Sequence, residues 1–159
     1  MFRPGMRAYL IPLAAGVALA PSALLPWVVV GSRSLPGVPG IAGLWVLGLG
    51  VLSTVLATLS LITRRNSRHP LLVVGLAALG ITYLSLQIMP RLAGENALTA
   101  AQAFAIVENR PVGSAPIARP GAGLYLGLGA SVVLVAFGLT IVIKRASQPY
   151  VNSDPNDDV

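Results

Sequence analysis

The sequence predicts an all-α membrane protein with four transmembrane helices and one short extramembrane helix in the second outer loop. Four stretches, residues 8–32, 34–63, 70–90 and 120–143, contain no ionisable group except tyrosine hydroxyls. A helix needs about 20 apolar residues to cross a bilayer, and each stretch is long enough. All eleven basic and all five acidic residues lie outside these stretches. The distribution of charged residues therefore predicts four membrane segments.

Composition supports a membrane location and excludes several classes of chemistry. The chain is 55% hydrophobic and 10% charged, whereas soluble domains are about 25% charged. Apolar runs such as Leu71 to Val74 do not alternate with a period of two, so they favour helices over strands of a barrel. Cysteine is absent, which excludes disulfides, thiol catalysis and Cys-ligated metals.

The formal net charge of +6 does not indicate a nucleic-acid partner. The basic residues are scattered over the loops and the N-terminal arm, without a basic stripe or an aromatic platform. They lie at the ends of the predicted spans, where anionic lipid headgroups are the nearest counter-ions. Membrane lipids, and no nucleic acid, are the expected partners.

The first span is expected at residues 8–30, with Pro12, Pro21 and Pro26 making it kinked or frayed. Trp27 would then lie near the outer edge, where an indole suits the headgroup zone. The segment also resembles a signal peptide, with a basic start and a small-x-small pattern before Pro21. Proline directly after a cleavage site is unfavourable, so we expect an uncleaved span.

The middle of the chain is expected to form two further spans. Residues 31–40 contain two prolines and three glycines and are typical of a turn-like loop. The second span is expected at 41–63, with Trp45 as an outer anchor. After a short basic loop, the third span should cover 71–89 and end at Pro90.

Residues 91–121 are the one sizeable segment between spans and are expected to form an outer loop. Within it, 96–107 is predicted to be a short helix with a loosely apolar side. Leu98 and Phe104 on that side are candidates for docking a partner, or for contact with the membrane surface. The loop folded back over its own bundle is the other possibility. The last span is expected at 122–143.

Orientation follows from the lysines and arginines near the span ends. Seven of them lie on the side of both termini and the 63–70 loop, and four lie on the other side. Both termini should therefore be cytoplasmic. The polar tail, 146–159, is expected to be disordered. The Ala-, Gly- and Arg-rich composition is typical of a bacterial plasma (inner) membrane protein.

No arrangement of reactive side chains indicates an enzyme. His69, the one histidine, lies in the basic loop without a second ligand at metal-binding spacing. Glu95 and Glu108 are the only acids outside the tail, and thirteen residues separate them. Catalysis by paired carboxylates needs two groups held across a substrate. We therefore predict that the chain is not an enzyme, and the sequence assigns no cofactor.

Transport is also disfavoured, because ion pathways usually contain ionisable residues within the membrane and the spans have none. Tyr83 and Gln87 stand one turn apart on one helix face. They favour either an interhelical hydrogen bond or a small site between helices.

Small residues at a spacing of four are the clearest pattern in the spans. Such stripes allow helix backbones to approach closely. The sequence does not decide whether they contact each other or another protein. The predicted helix-contact residues are Gly123, Gly127 and Ser131 in the last span and Gly50, Thr54 and Thr58 in the second.

These observations favour a non-catalytic accessory or scaffold subunit of a larger membrane complex, with other membrane subunits as partners. Small four-span subunits of this kind are common in respiratory and photosynthetic assemblies. The alternative is a stand-alone carrier or lipid-binding protein with a site between helices near Tyr83 and Gln87.

Overall fold

The structure is a computed structural model that describes residues 9–63, 68–109, 111, 114 and 116–146. The N-terminal arm before Tyr9 and the tail after Ala146, predicted to be disordered, lie outside these residues. The elements in chain order are α1 (Leu10–Ser22), β1 (Pro26–Val30), β2 (Arg33–Pro36), α2 (Ile41–Thr63), α3 (Arg68–Val107), β3 (Ala118–Pro120) and α4 (Ala122–Ala146).

Three helices are long and apolar enough to cross a membrane by length and composition: α2, α3 and the apolar part of α4. They occupy three of the four uncharged stretches. The fourth apolar helix, α1, has 13 residues. At 1.5 Å per residue it is about 20 Å long, which is short of the ~30 Å hydrocarbon core of a bilayer.

The expected first span, 8–30, is wrong beyond Ser22. The amide of Leu24 donates to the carbonyl of Pro21 in a closing turn, and β1 begins at Pro26. Proline disfavours helical geometry in the residue before it and has no amide to donate, so Pro26 prevents the helix from continuing. The three valines that follow favour an extended strand.

A three-stranded antiparallel sheet, in the order β2-β1-β3, replaces the predicted turn-like loop. Val30 pairs with Arg33, so Gly31 and Ser32 form a two-residue hairpin turn. Gly31 has a φ of 59°, a conformation that glycine adopts without strain. On the other side of β1, Val29 pairs with Arg119. The sheet joins the chain after α1 to the chain before α4.

Helix α3 runs without interruption for 40 residues and contains Pro90. The predictions that the helix of the third span stops at Pro90 and that 96–107 is a separate helix are therefore wrong. Residues 96–107 are helical as the far part of α3. Packing on both sides of Pro90 supports the continuous helix: Met89 approaches Gly40, and Gly94 lies against Ala118 of β3. Tertiary contacts here outweigh the preference of proline for a helix end.

The bundle is held by close backbone approaches at small residues. A Cβ atom on Gly50 of α2 would lie 2.5 Å from the amide nitrogen of Ala20 in α1. A Cβ atom on Gly75 of α3 would lie 2.9 Å from Cβ of Leu134 in α4. Both approaches are closer than real Cβ contacts allow, so only glycine fits. Fully buried side chains of the bundle include Leu19, Leu71, Leu124, Leu134 and Val46.

Candidate interaction surfaces

The reactive residues considered in the sequence lie apart and on the surface. His69 is exposed at the start of α3, Glu95 is exposed in its far part, and Glu108 is exposed in the turn directly after it. Thirteen helical residues separate the two acids by about 20 Å, well beyond the roughly 5–10 Å at which carboxylate pairs cooperate. Within the described part of the chain, no group of three His, Cys, Asp or Glu residues could hold a metal.

Three hydroxyl groups inside the bundle donate to carbonyls of their own helices. Ser22 Oγ donates to Leu19 O at 2.6 Å, Thr82 Oγ1 to Ala78 O at 2.8 Å and Ser131 Oγ to Leu128 O at 2.8 Å. Among the buried side chains that the structure describes, Ser60 Oγ has no hydrogen-bond partner. The interior polarity is therefore local to each helix, and these hydroxyls do not line a shared polar site.

Tyr83 and Gln87 lie on the outward face of α3 and are exposed. The alternative hypothesis placed them beside a site between helices, and the structure places them on the outer surface instead. The residues directly before them, Thr82 and Leu86, are the ones turned toward the bundle.

The predicted contact residues of the last span are buried at a junction with α1 and α3. A Cβ atom on Gly127 would lie 3.0 Å from Ser22 Oγ and 3.1 Å from Thr82 Cγ2. Gly123 and Ser131 are also buried. These small residues lie where other parts of the same chain come close.

In α2 the predicted stripe divides between two environments. Gly50 is buried against Ala20, and Thr54 lies beside Gly16 of α1. Thr58 is exposed, and its hydroxyl donates to the Thr54 carbonyl at 2.7 Å. Thr58 therefore lies outside the α1–α2 contact, because the contact face turns away from it toward Ala57 and Ser60, which are buried.

The sequence predicted that Trp27 lies at the membrane surface as an anchor, and this prediction is wrong. Its side chain is buried at the end of the bundle next to the sheet. It is 1% exposed, and its Nε1 donates to the carbonyl of Ser22 at 2.9 Å. Gly37 and Gly123 lie against its ring, where Cβ atoms would come within 2.5–2.7 Å of ring atoms. Gly37 and Gly123 lie far from Trp27 along the chain, so no local sequence pattern predicted this pocket.

The far part of α3, Arg91–Val107, will be called the arm. Met89 approaches Gly40 just before α2 begins, so the arm extends past the start of α2. The eighteen residues from Pro90 to Val107 rise about 27 Å. Large apolar side chains on the arm are exposed: Leu98 42%, Phe104 68%, Ile106 80% and Val107 83%.

An apolar groove of about 470 Å³ lies on the outer surface between α1 and α4. Ala14, Ala18 and Gly129 are among its lining residues and leave space because they are small. Ile11, Val133 and Tyr125 also line it. It is open along its length and nearly devoid of polar groups.

Comparison with known proteins found no matching family model, no similar curated protein and no similar solved structure.

Proposed function

We propose that this chain is a non-catalytic accessory or scaffold subunit of a larger membrane complex, of the kind found in respiratory and photosynthetic assemblies. The observation that carries the proposal is the arm. Its end presents Phe104, Ile106 and Val107 to solvent on more than one face of the helix. Residues 103–107, the last turn of the arm, are all apolar, and a helical surface that is apolar all round is usually buried in a protein core or in a membrane.

A protein is a better partner for the arm than the membrane surface. The arm continues a helix whose first part lies alongside α2 and α4, within the apolar bundle. The eighteen residues from Pro90 to Val107 therefore continue for about 27 Å along the helix axis past the start of α2. Leu98 and Phe104, the predicted docking residues, are both exposed on it.

Membrane topology is part of the same proposal. We infer four membrane segments, with α1 as a short one, in a bacterial plasma membrane, with both termini on the cytoplasmic side. The ring of Tyr9, directly before α1, meets that of Phe137 in the second half of α4, with centroids 5.3 Å apart. This contact supports placing both termini at the end of the bundle that carries the basic loop, which the positive-inside rule assigns to the cytoplasm.

The test is to purify the wild type and the Phe104→Glu variant under native conditions in mild detergent and to compare the proteins that remain bound to each. A partner retained at fixed stoichiometry by the wild type should be lost from the variant. Burial of one aromatic side chain contributes about 1.5–3 kcal/mol, so affinity should fall at least about tenfold. Gln102→Glu is the matched control, because it adds the same charge at an exposed polar position of the arm.

Two results would count against the accessory role. One is a wild-type protein that always purifies as a lone chain, and the other is full retention of the partner by Phe104→Glu. Replacement of the polar candidates, His69→Ala and Glu95→Gln, should leave the activity of an assembled host complex unchanged. Loss of turnover with assembly intact would support an enzyme instead.

The groove between α1 and α4 favours a second candidate function, lipid binding by a stand-alone protein. Its apolar lining matches an acyl chain. A lipid that remains bound to the purified protein, and is released by Gly129→Leu, would support this candidate over the first.

A further inference from the structure

Three aromatic side chains on three different helices point outward near the sheet end of the bundle. Trp45 of α2 is 62% exposed, Tyr83 of α3 is 53% exposed and Tyr125 of α4 is 58% exposed. We will call this set the aromatic girdle. Large aromatic side chains with a polar atom are typical of the boundary between hydrocarbon and water in membrane proteins.

Contacts between the helices place the girdle at one height. Gly127 of α4 lies against Thr82 of α3, so Tyr125 and Tyr83 are each within two residues of that contact. Gly40 lies against Met89, and the antiparallel course of α2 and α3 then places Trp45 opposite residue 84. The three side chains therefore lie within about one helical turn, 5.4 Å, of a common plane.

The distance from the girdle to the opposite end of the bundle is close to the thickness of a hydrocarbon core along α2 and α4 and is about one helical turn shorter along α3. Along α2, eighteen residues separate Trp45 from Thr63, which is about 27 Å. Along α3, fifteen residues separate Arg68 from Tyr83, which is about 22 Å. Along α4, nineteen residues separate Tyr125 from Lys144, which is about 28 Å. A hydrocarbon core is about 30 Å thick.

Charge on the sheet side of the girdle complements lipid phosphate. Arg33 of β2, Arg91 of the arm and Arg119 of β3 are exposed there. Of the acids on that side within the described chain, Glu95 lies on the arm and Glu108 directly follows it. Arginine side chains reach from an apolar surface to phosphate groups while their stems stay in contact with lipid.

We propose that the aromatic girdle, with the three arginines beyond it, is a lipid-headgroup contact surface that fixes the depth of this protein in the bilayer. Trp45, Tyr83 and Tyr125 lie at the level where acyl chains meet headgroups. The sheet and the buried Trp27 then lie at the headgroup layer, and the arm leaves the membrane just beyond Pro90. The inference concerns lipid contact and does not depend on whether the arm binds a partner.

The two tryptophans provide the test, because Trp45 is exposed and Trp27 is 1% exposed. The protein is placed in phosphatidylcholine vesicles whose acyl chains carry bromine either near the headgroup or near the chain end. Fluorescence of the wild type minus that of Trp45→Phe gives the contribution of Trp45. We expect bromine near the headgroup to remove most of this contribution and bromine near the chain end to remove much less. Trp27, read in Trp45→Phe, should be quenched little by either.

Further variants in the Trp45→Phe background keep the test independent of Trp45. Tyr83→Trp and Tyr125→Trp should show the same preference for shallow bromine. Leu52→Trp is the depth control, since Leu52 is an exposed residue of α2 about 10 Å below Trp45. Its tryptophan should respond more to deep bromine. Equal quenching of Trp45 and the Leu52 variant by deep bromine, or no quenching of the girdle positions at all, would overturn the inference.

Discussion

At the scale of single residues, this fold depends on contrasts between residues of one type. Gly50 has the backbone of Ala20 directly against it, whereas around Gly48, two residues earlier on α2, nothing lies within 4 Å of a Cβ position. Trp27 is buried and hydrogen-bonded, whereas Trp45 faces outward. In each pair one residue is tightly packed and the other is exposed. Substitution of the exposed residue is therefore the control for the same substitution of the packed one.

We expect Gly50→Ala to destabilise the protein and Gly48→Ala to have little effect. The added methyl group on residue 50 must displace the α1 backbone, and overpacking of this kind costs about 1–3 kcal/mol. The measurement is the free energy of unfolding in mixed detergent micelles, followed by far-UV circular dichroism. Equal stability of the two variants would show that α1 does not approach α2 as described.

Trp27→Phe should also lower the free energy of unfolding. It removes the Nε1 donor, which leaves the Ser22 carbonyl without that partner at a cost of about 1–3 kcal/mol, and it leaves a void beside Gly37. Trp45→Phe should change stability by less than about 0.5 kcal/mol, as is usual at surface positions. The same unfolding measurement in detergent tests both variants. A larger loss of stability from Trp45→Phe than from Trp27→Phe would mean that Trp45, and not Trp27, is the buried residue.

At the scale of elements, the sheet and the buried side chain of Trp27 complete a bundle whose first helix is short. Helix α1 ends at Ser22, and the space beyond it is filled by Trp27 and the strand that carries it. The amide of Gly121 donates a hydrogen bond to the carbonyl of Trp27 at 2.7 Å, so the residue directly before α4 is also held to Trp27. The arm differs in kind, because most of its side chains are exposed.

Amide hydrogen exchange should separate the two parts of α3. Amides in residues 71–89 lie in the apolar bundle and should exchange slowly. Amides in 96–107 are hydrogen-bonded in an exposed helix, which opens locally at a lower free energy. Mass spectrometry of peptides from the isolated protein in detergent compares them within one helix. Similar protection of both parts would mean that the arm is covered in the isolated protein.

At the scale of the whole molecule, the proposed topology has the sheet and the arm on the outer side. The chain contains no cysteine, so a thiol reagent labels this protein only at an introduced cysteine. Those at Ser34 and Ser114 should react with an impermeant thiol reagent added to intact cells. Those at Ser67 and Ser153 should react only after the cells are opened. The reverse pattern of labelling would invert the orientation.

The sequence by itself located the apolar segments, because a bilayer selects for local properties. An uncharged stretch of sufficient length is expected to form a helix wherever its backbone groups cannot bond to water. The start of α2 at Ile41 and the start of α4 at Ala122 therefore coincide with the predicted ones. Several small-residue positions were also visible in the sequence, since close backbone approach depends on residue size.

Only the tertiary structure decided how these segments end and which faces meet. Pro26 ends helical geometry and Pro90 does not, although local preference treats both as breakers. Helix α3 packs against other parts of the chain on both sides of Pro90, whereas the valines after Pro26 pair with two strands from later in the chain. The burial of Trp27 and the outward position of Tyr83 likewise depend on contacts between distant residues, which a local pattern does not contain.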